Sequence, residues 1–401
     1  MKIEAPSLFF EKKIKAPVKD VYRAFTNEAT IIEWFCNAAL VDVDLKTRLY
    51  FWWNTGYYTC GEFTKVVPQK ELVFTWLGKN DPGKTRVRVT FKQEVSHTHL
   101  TIEHRGIKNS PLWAAALQQI QRGWEVALEN LVSIMETGRD LRIINRPMMG
   151  INMDEFTPEI AKRLKIPTTT GVRLNGVIEG MGAQQCGLMK DDVLVEGDGT
   201  PIVSFSSLAA ILQGKKAGDK IKIDYYRGPA KMTAVMELSP RPVPAVPASC
   251  AELVQAVEEM YAQGDQALEE ALQGVTDQEA SYRPGPEDWN VHEVLAHLIH
   301  NERDLHVAIH KWVMNEQFNS SNNLRARLEA ILAVYPTLAD LQAELKRCEA
   351  ETLAFLRSLP DEFLIRKDSY WVMAFNLLQL NYHPQEHAGQ IKDTVAAARN
   401  H

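Results

Sequence analysis

Three histidines offer the most definite chemistry in this chain: His297, His383 and His387. Two of them stand four residues apart, in His383-Pro384-Gln385-Glu386-His387-Ala388-Gly389-Gln390-Ile391. On a helix, residues i and i+4 share one face, so two imidazoles can hold one cation. His297 lies in Trp289-Asn290-Val291-His292-Glu293-Val294-Leu295-Ala296-His297-Leu298, and from a facing helix it would complete a three-ligand site. Three protein ligands leave positions open for water or substrate, which separates a catalytic metal site from a closed structural one. Water in such a site is acidified to hydroxide near neutral pH, and a thiol is held as thiolate. Neutral imidazoles suit divalent Zn, Ni or Fe, and the sequence does not choose among them. Glu293, one turn before His297, is placed to orient it; Glu386 and Gln390 are candidates to contact ligands or substrate. The plainer alternative for these three polar residues is a solvated helix face.

The elements that must position these groups belong to a chain too long for one ordinary domain. At 401 residues, two or three domains are expected, and 45% apolar residues are those of a globular protein. No run of 18 apolar residues predicts a membrane span, and Met1-Lys2-Ile3-Glu4-Ala5-Pro6 does not open a signal peptide. Five scattered cysteines, odd in number and without CxxC, predict a reducing cytoplasm and exclude a thiolate zinc site. The net charge of −6 is uneven: residues 1–140 and 141–249 carry +3 each, and residues 250–401 carry −12. Phosphate would be repelled by the last segment, and the balance of the rest is too small for a nucleic-acid footprint.

Residues 250–401 read as helices: Ala251–Gln273, Val291–Glu316, Leu338–Ser358 and Val372–Ala398, punctuated at Arg283-Pro284-Gly285-Pro286 and Leu359-Pro360-Asp361. Four helices with one apolar stripe each make a bundle. Tyr282-Arg283-Pro284, Trp289-Asn290-Val291, the approach to His297, and His383 with His387 before Gly389-Gln390-Ile391 resemble the DinB family of four-helix bundles. That resemblance implies an up-down bundle with His297, His383 and His387 as metal ligands. It also implies metal-dependent hydrolases, or transferases and isomerases using low-molecular-weight thiols. Pro384 falls between two of the ligands, and His300 lies one turn from His297 as a competitor.

Residues 1–140 alternate as strands at Leu8–Ile14, Leu49–Trp53, Tyr57–Val67, Glu71–Trp76, Arg86–Phe91 and Leu100–His104, with a long closing helix over Leu112–Met135. Ile14-Lys15-Ala16-Pro17-Val18, Ala24-Phe25-Thr26, Trp34-Phe35, Gly61-Glu62-Phe63, Leu72-Val73-Phe74-Thr75-Trp76 and Gly123-Trp124 resemble the START-like family of heat-shock-90 ATPase-activator homologues. The segment departs from the family at Thr47-Arg48, where a Gly-Gly pair is usual. The resemblance implies a helix-grip fold with a cavity for a small apolar ligand. Trp34, Trp52, Trp76, Trp113 and Trp124 either line that cavity or fill the core.

Residues 141–239 change texture. Gly171-Val172-Arg173-Leu174 starts a strand, Gly182–Leu188 a short helix, Asp191–Val195 a strand, Asp198-Gly199 a turn, and Ser206–Leu212 an amphipathic helix. This order resembles PDZ domains of the bacterial HtrA type. PDZ domains hold a peptide C-terminus by β-augmentation, and Met148-Met149-Gly150-Ile151 is the matching carboxylate loop. No GxSxG accompanies it.

A proline-rich stretch over 240–249 predicts a semi-rigid linker before the last domain. The expected fold is multidomain α+β: a helix-grip START-like domain (1–140), a PDZ β-barrel-like domain (141–239) and an up-down DinB-like four-helix bundle (250–401). The expected function is a cytoplasmic metal-dependent hydrolase or thiol transferase, with a small apolar ligand, a low-molecular-weight thiol and a protein C-terminus as partners. The alternative is a non-enzymatic stress-response adaptor that binds an apolar ligand and protein C-termini.

Overall fold

The computed structural model describes residues 7–44, 47–154, 156–285, 288–317, 325–379 and 383–400. The chain forms two compact units, one of residues 1–140 with 244–401, the other of residues 141–243.

The first unit opens with a seven-stranded antiparallel sheet in the order Leu8–Ile14, Thr98–Arg105, Thr85–Gln93, Glu71–Gly78, Tyr58–Val67, Arg48–Trp52, Ala38–Val41. Strict alternation decides which face is buried: in Thr98–Arg105 every second side chain (Thr98, Leu100, Ile102, His104) faces inward. The expected closing helix begins with a 3₁₀ turn at Pro111–Trp113 and continues as Ala114–Thr137. It lays Ile120, Trp124, Leu128, Leu131 and Ile134 on the sheet at helical spacing. Gly138, at φ 78°, ends it in the left-handed conformation that glycine adopts without cost.

Arg48 pairs with Glu62 as an ordinary strand residue, so the missing Gly-Gly does not interrupt the sheet. The close approach lies across the ladder instead. A Cβ on Gly61 would sit 1.8 Å from the Thr75 carbonyl oxygen, and the register shifts between Phe63 and Lys65. A bulge there bends the sheet.

The bundle consists of Cys250–Leu272, Val291–Met314, Leu338–Arg357 and His383–Arg399, with Arg325–Val334 and Lys367–Gln379 as additional helices. The single helix expected over Val372–Ala398 is two helices, Lys367–Gln379 and His383–Arg399. Pro384 explains the placement: proline in the first turn of a helix sacrifices no hydrogen bond, whereas mid-helix it breaks one. Capping boxes at Ser249/Glu252 and Asn290/Glu293 fix the starts of the first two long helices.

Lys367–Gln379 buries Asp368, Ser369, Tyr370, Trp371, Met373, Ala374, Phe375 and Leu377, nearly all of its circumference. A helix buried all round needs neighbours on both sides. The bundle supplies one side and the sheet domain the other. Lys367 Nζ donates to the Glu136 carbonyl (2.9 Å), Asn27 Nδ2 to the Asn315 carbonyl (3.1 Å), and Gln317 Nε2 to the Ala39 carbonyl (2.9 Å). The proline-rich stretch therefore does not hold the bundle apart from residues 1–140, as its composition suggested. Linker composition sets stiffness and reach, not which surfaces dock.

The second unit is an antiparallel sheet ordered Ala230–Glu237, Lys220–Arg227, Val193–Gly197, Val172–Val177, Ile151–Asp154, with Thr200–Pro201 paired to Val193–Gly197. Its core is Val172, Leu174, Leu194, Ile221, Ile223 and Met236, closed by Leu208 of the Phe205–Ile211 helix.

Candidate functional site

Val291–Met314 and His383–Arg399 bring His297 and His387 together, with ring centroids 5.2 Å apart at 74°. Two imidazoles bound to one ion at about 2.0–2.1 Å per nitrogen hold their centroids roughly 5 Å apart. The observed pair meets that requirement. His387 Nδ1 lies 2.9 Å from Gln390 Oε1; donation to that oxygen leaves Nε2 as the lone-pair nitrogen. Asn301 Nδ2 lies 3.1 Å from His297 Nε2, and the Trp289 ring covers His297 at 4.9 Å. Gln390 was expected from the sequence; Asn301 was not, although its i+4 spacing from His297 is the signal that finds it. His383 begins its helix, but its side chain and that of Glu386 lie outside the described residues. Among the described residues, no group of three or more His, Cys, Asp and Glu side chains could hold a metal ion.

Glu293 has other work than orienting His297. One carboxylate oxygen takes Arg283 (2.6 Å) and Arg325 (3.0 Å), and the other closes the capping box on the Asn290 amide (3.0 Å). His300 is drawn off by Arg327 (3.3 Å at Nδ1) and Asp304 (3.6 Å at Nε2). Burial is the main cause that lowers its pKa.

Further along the bundle, between two apolar clusters, lies a polar layer. Tyr261 Oη and Thr352 Oγ1 each donate to Glu302 Oε2 at 2.9 Å, and His306 Nε2 lies 2.8 Å from Thr352 Oγ1. Burial raises the Glu302 pKa. Burial, then the charges of Asp265 and Glu302, push Glu349 up to about 8. Sequence reading missed this layer because each member looks like a surface residue of an amphipathic helix.

In the second unit, Met148, Met149, Gly150 and Ile151 line one wall of a groove of about 240 Å³, and Phe205, Leu208 and Leu212 the other. Gly150 has φ 77°, and a Cβ there would stand 2.2 Å from Met181 Cβ. Its carbonyl accepts from Ile178 N, and that of Met149 from Ala183 N, each at 2.8 Å. The Met149 and Gly150 amides have no acceptor among the described residues. Two amides without acceptors beside a glycine turn form an anion nest. Arg146 and Arg241, which the sequence did not single out, stand at the edge of the same groove.

The tryptophans of residues 1–140 divide. Trp34, Trp76, Trp113 and Trp124 are buried, and Trp52 is half-buried. Phe35 stacks on Trp124 (5.2 Å), which packs on Trp76 (5.8 Å). Trp124 Nε1 donates to His104 Nδ1 (3.2 Å), while His104 Nε2 meets Thr85 Oγ1 at 2.7 Å. Burial lowers the His104 pKa to about 4, so it stays neutral in the core. Of the five tryptophans considered as a cavity lining, four are packing. A cleft of about 370 Å³ opens beside them, lined by Tyr57, Lys79, Asp81, Leu112, Ala116 and Gln119 among others.

Comparison with known proteins assigns each part. Residues 15–136 match the activator of Hsp90 ATPase homolog 1-like model, 147–238 the PDZ domain, and 260–391 the DinB superfamily. The chain is a START-like, PDZ and DinB three-domain protein. Curated relatives include the serine protease Do-like HtrA of Lactococcus lactis subsp. cremoris, 30% identical over 27% of this chain and 28% of that protein. The periplasmic serine endoprotease DegP of Salmonella typhimurium is 30% identical over 28% of this chain and 23% of that protein. The chain thus spans under a third of the length of these relatives. Among solved structures, protein MLL2253 of Mesorhizobium loti is 25% identical, with 32% of this chain and 96% of that chain covered at a TM-score of 0.30. No helix among the described residues of the three domains is long and apolar enough to cross a membrane.

Proposed function

We propose that this protein is a metal-dependent hydrolase or thiol transferase of the DinB class, with a PDZ domain that recruits protein C-termini. The observation that carries the reading is the approach of His297 to His387 at a separation suited to one shared ion. His383, one turn before His387, is the third ligand in this reading. A divalent Zn, Ni or Fe ion held there would act as a Lewis acid on water or a low-molecular-weight thiol. The chain's own residues supply the rest. Gln390 fixes the His387 ring and Trp289 shields His297 from solvent, while the Asn301 amide, which donates to the His297 Nε2 lone pair, would have to turn away for that nitrogen to hold an ion. A small ligand of the START-like domain would enter at the Tyr57–Gln119 cleft. Five free thiols fit a reducing, cytoplasmic setting.

The test is elemental analysis of full-length protein purified without an affinity tag. About one divalent ion per chain, lost in His387→Ala, is the expected result. Metal-free protein that takes up no Zn, Ni or Fe on reconstitution overturns it.

A second reading, a non-enzymatic adaptor, is favoured by the apolar groove beside the Met149 and Gly150 amides. In this reading the groove holds a peptide as an added strand beside Ile151–Asp154. Metal-free protein that still binds free C-termini would select it.

A further inference from the structure

The cleft of about 370 Å³ in residues 1–140 is lined by two formal charges of opposite sign, Lys79 and Asp81. Both come from one tight connection, Gly78-Lys79-Asn80-Asp81, between the strands Glu71–Gly78 and Thr85–Gln93. Asn80, at φ 68°, helps reverse the chain. Asp81 closes the turn: its amide donates to the Gly78 carbonyl (3.0 Å), and its Oδ2 accepts from the Gly78 amide (2.8 Å). A Cβ on Gly78 would stand 2.1 Å from Tyr57 Oη and 2.6 Å from Asp81 Oδ2, so only glycine admits both oxygens there. Burial raises the Asp81 pKa, against the pull of the Gly78 amide. Burial, then the Asp81 charge, raise that of Tyr57 to about 12 against the Trp76 N–H, so Tyr57 stays an un-ionised hydroxyl. Lys79 Nζ donates to the Gly56 carbonyl (2.9 Å), a neutral partner that leaves its charge unbalanced. No ion pair joins Lys79 or Asp81 to the other, or to any other described residue.

A partly buried charge without a counter-ion is costly, and two of opposite sign at one cleft match a ligand that carries both. We propose that this cleft binds a zwitterion, an α-amino acid with an apolar side chain, its ammonium on Asp81 beside Tyr57 Oη and its carboxylate toward Lys79. The inference rests on the reading of the cleft as the ligand entrance of the START-like domain and adds the chemistry of the ligand. The apolar side chain lies against Leu112, Ala115 and Ala116. Leu112 is 74% exposed, an apolar surface that such a side chain would take out of water. A plain amine would leave Lys79 unmatched, and a plain acid would leave Asp81 unmatched, so each should bind less well than the zwitterion.

The experiment uses the full chain and four probes of one shape: L-leucine, its amide, N-acetyl-L-leucine and N-acetyl-L-leucine amide, which are zwitterion, cation, anion and neutral. Affinities come from ligand-observed NMR titration. L-leucine should bind about threefold more tightly than either singly charged probe. Its advantage over N-acetyl-L-leucine should vanish in Asp81→Asn, which keeps an acceptor for the Gly78 amide. Its advantage over L-leucine amide should vanish in Lys79→Gln. The neutral probe should bind both variants as it binds the parent, which also shows the cleft intact. Because the Met149–Gly150 loop could take a carboxylate of its own, Ala115→Trp, at an exposed helix position, fills the cleft and should abolish binding of the neutral probe. Equal binding of the four probes, or advantages that persist in Asp81→Asn and Lys79→Gln, overturns the inference; the cleft reading then stands if Ala115→Trp still removes the neutral probe. Binding that survives Ala115→Trp, or no binding by any probe, overturns both.

Discussion

Arg23 Nη2 lies 3.1 Å from Asp368 Oδ2, joining a helix of the START-like domain to a helix of the bundle. Both side chains are largely out of water. Around them stand Arg366, whose Nη2 donates to the Val313 carbonyl (2.6 Å), and Glu33, one of whose carboxylate oxygens is fully enclosed. The two domains therefore share a charged seam as well as an apolar one.

Asp368→Ala should destabilise both domains together. It leaves Arg23 buried without its carboxylate, and breaking such a pair costs about 3 kcal/mol. Thermal unfolding followed by tryptophan fluorescence and by helical circular dichroism should shift down in step. A shift confined to the helical signal would mean that the seam contributes nothing to residues 1–140.

Glu33→Gln should stabilise the protein at neutral pH. Burial first, then the negative charge of Asp368, raise the Glu33 pKa well above the usual carboxylate range, against the opposing charges of Arg23 and Arg366. The folded state thus keeps a proton that the unfolded state releases. Stability from this group is full below about pH 4.5 and declines as pH rises toward the folded pKa. Denaturant titrations at several pH values should show the decline in the parent and its absence in the variant. Parallel pH profiles would refute this.

The metal reading carries its own pH dependence. Ordinary imidazoles protonate near a pKa of about 6.5, and protons compete with the ion for the free ligands. Affinity should therefore fall as pH drops through that value. Chelator should lower the melting temperature at about pH 7.5 and leave it unchanged near pH 5. His297→Ala should behave at the higher pH like the chelated parent. Identical melts with and without chelator at pH 7.5 would exclude tight metal binding.

Gly150→Ala should abolish peptide binding. Its φ of 77° disfavours a side chain, and the new Cβ would collide with Met181. The strain alone is worth about 1–2 kcal/mol, and relief would turn the amides away from the carboxylate. Free-C-terminus peptides should lose binding while the START-like and bundle signals are retained. Undiminished affinity would show that the loop is not the carboxylate site.

The strands of residues 1–140 were legible because alternation in Leu8–Ile14 and Thr98–Arg105 is a local signal that tertiary contacts reinforce. The groove was half legible. Gly150 marks its own loop, but Arg241 lies 91 positions away, beside the Met148–Ser239 bridge. Glu293 was misread because its helical face satisfies two roles at once, neighbour of His297 and capping-box partner of Asn290; the cap prevailed. Least legible was the docking of Lys367–Gln379 on the START-like domain. Apolar residues around a whole helix say that it is covered, not by what.

Gly138, which ends the long helix of the START-like domain, stands where a Cβ would be 2.4 Å from the Lys367 carbonyl oxygen and 2.6 Å from Trp371 Cβ. During synthesis, that surface leaves the ribosome well before its cover does. The hydrogen bond from Lys367 to Glu136 spans 231 positions, and at ordinary elongation rates the wait is roughly 10–50 seconds. The START-like domain must therefore tolerate an uncovered flank while the PDZ domain is made. Arg23, which has only its helix neighbour Asp20 (3.8 Å) until Asp368 arrives, keeps that flank charged in the interval, and a charged flank resists the sticking that a bare apolar one would invite. That flank is thus covered by Lys367–Gln379, and a nascent polypeptide stalled after the PDZ domain would present the face that this helix hides.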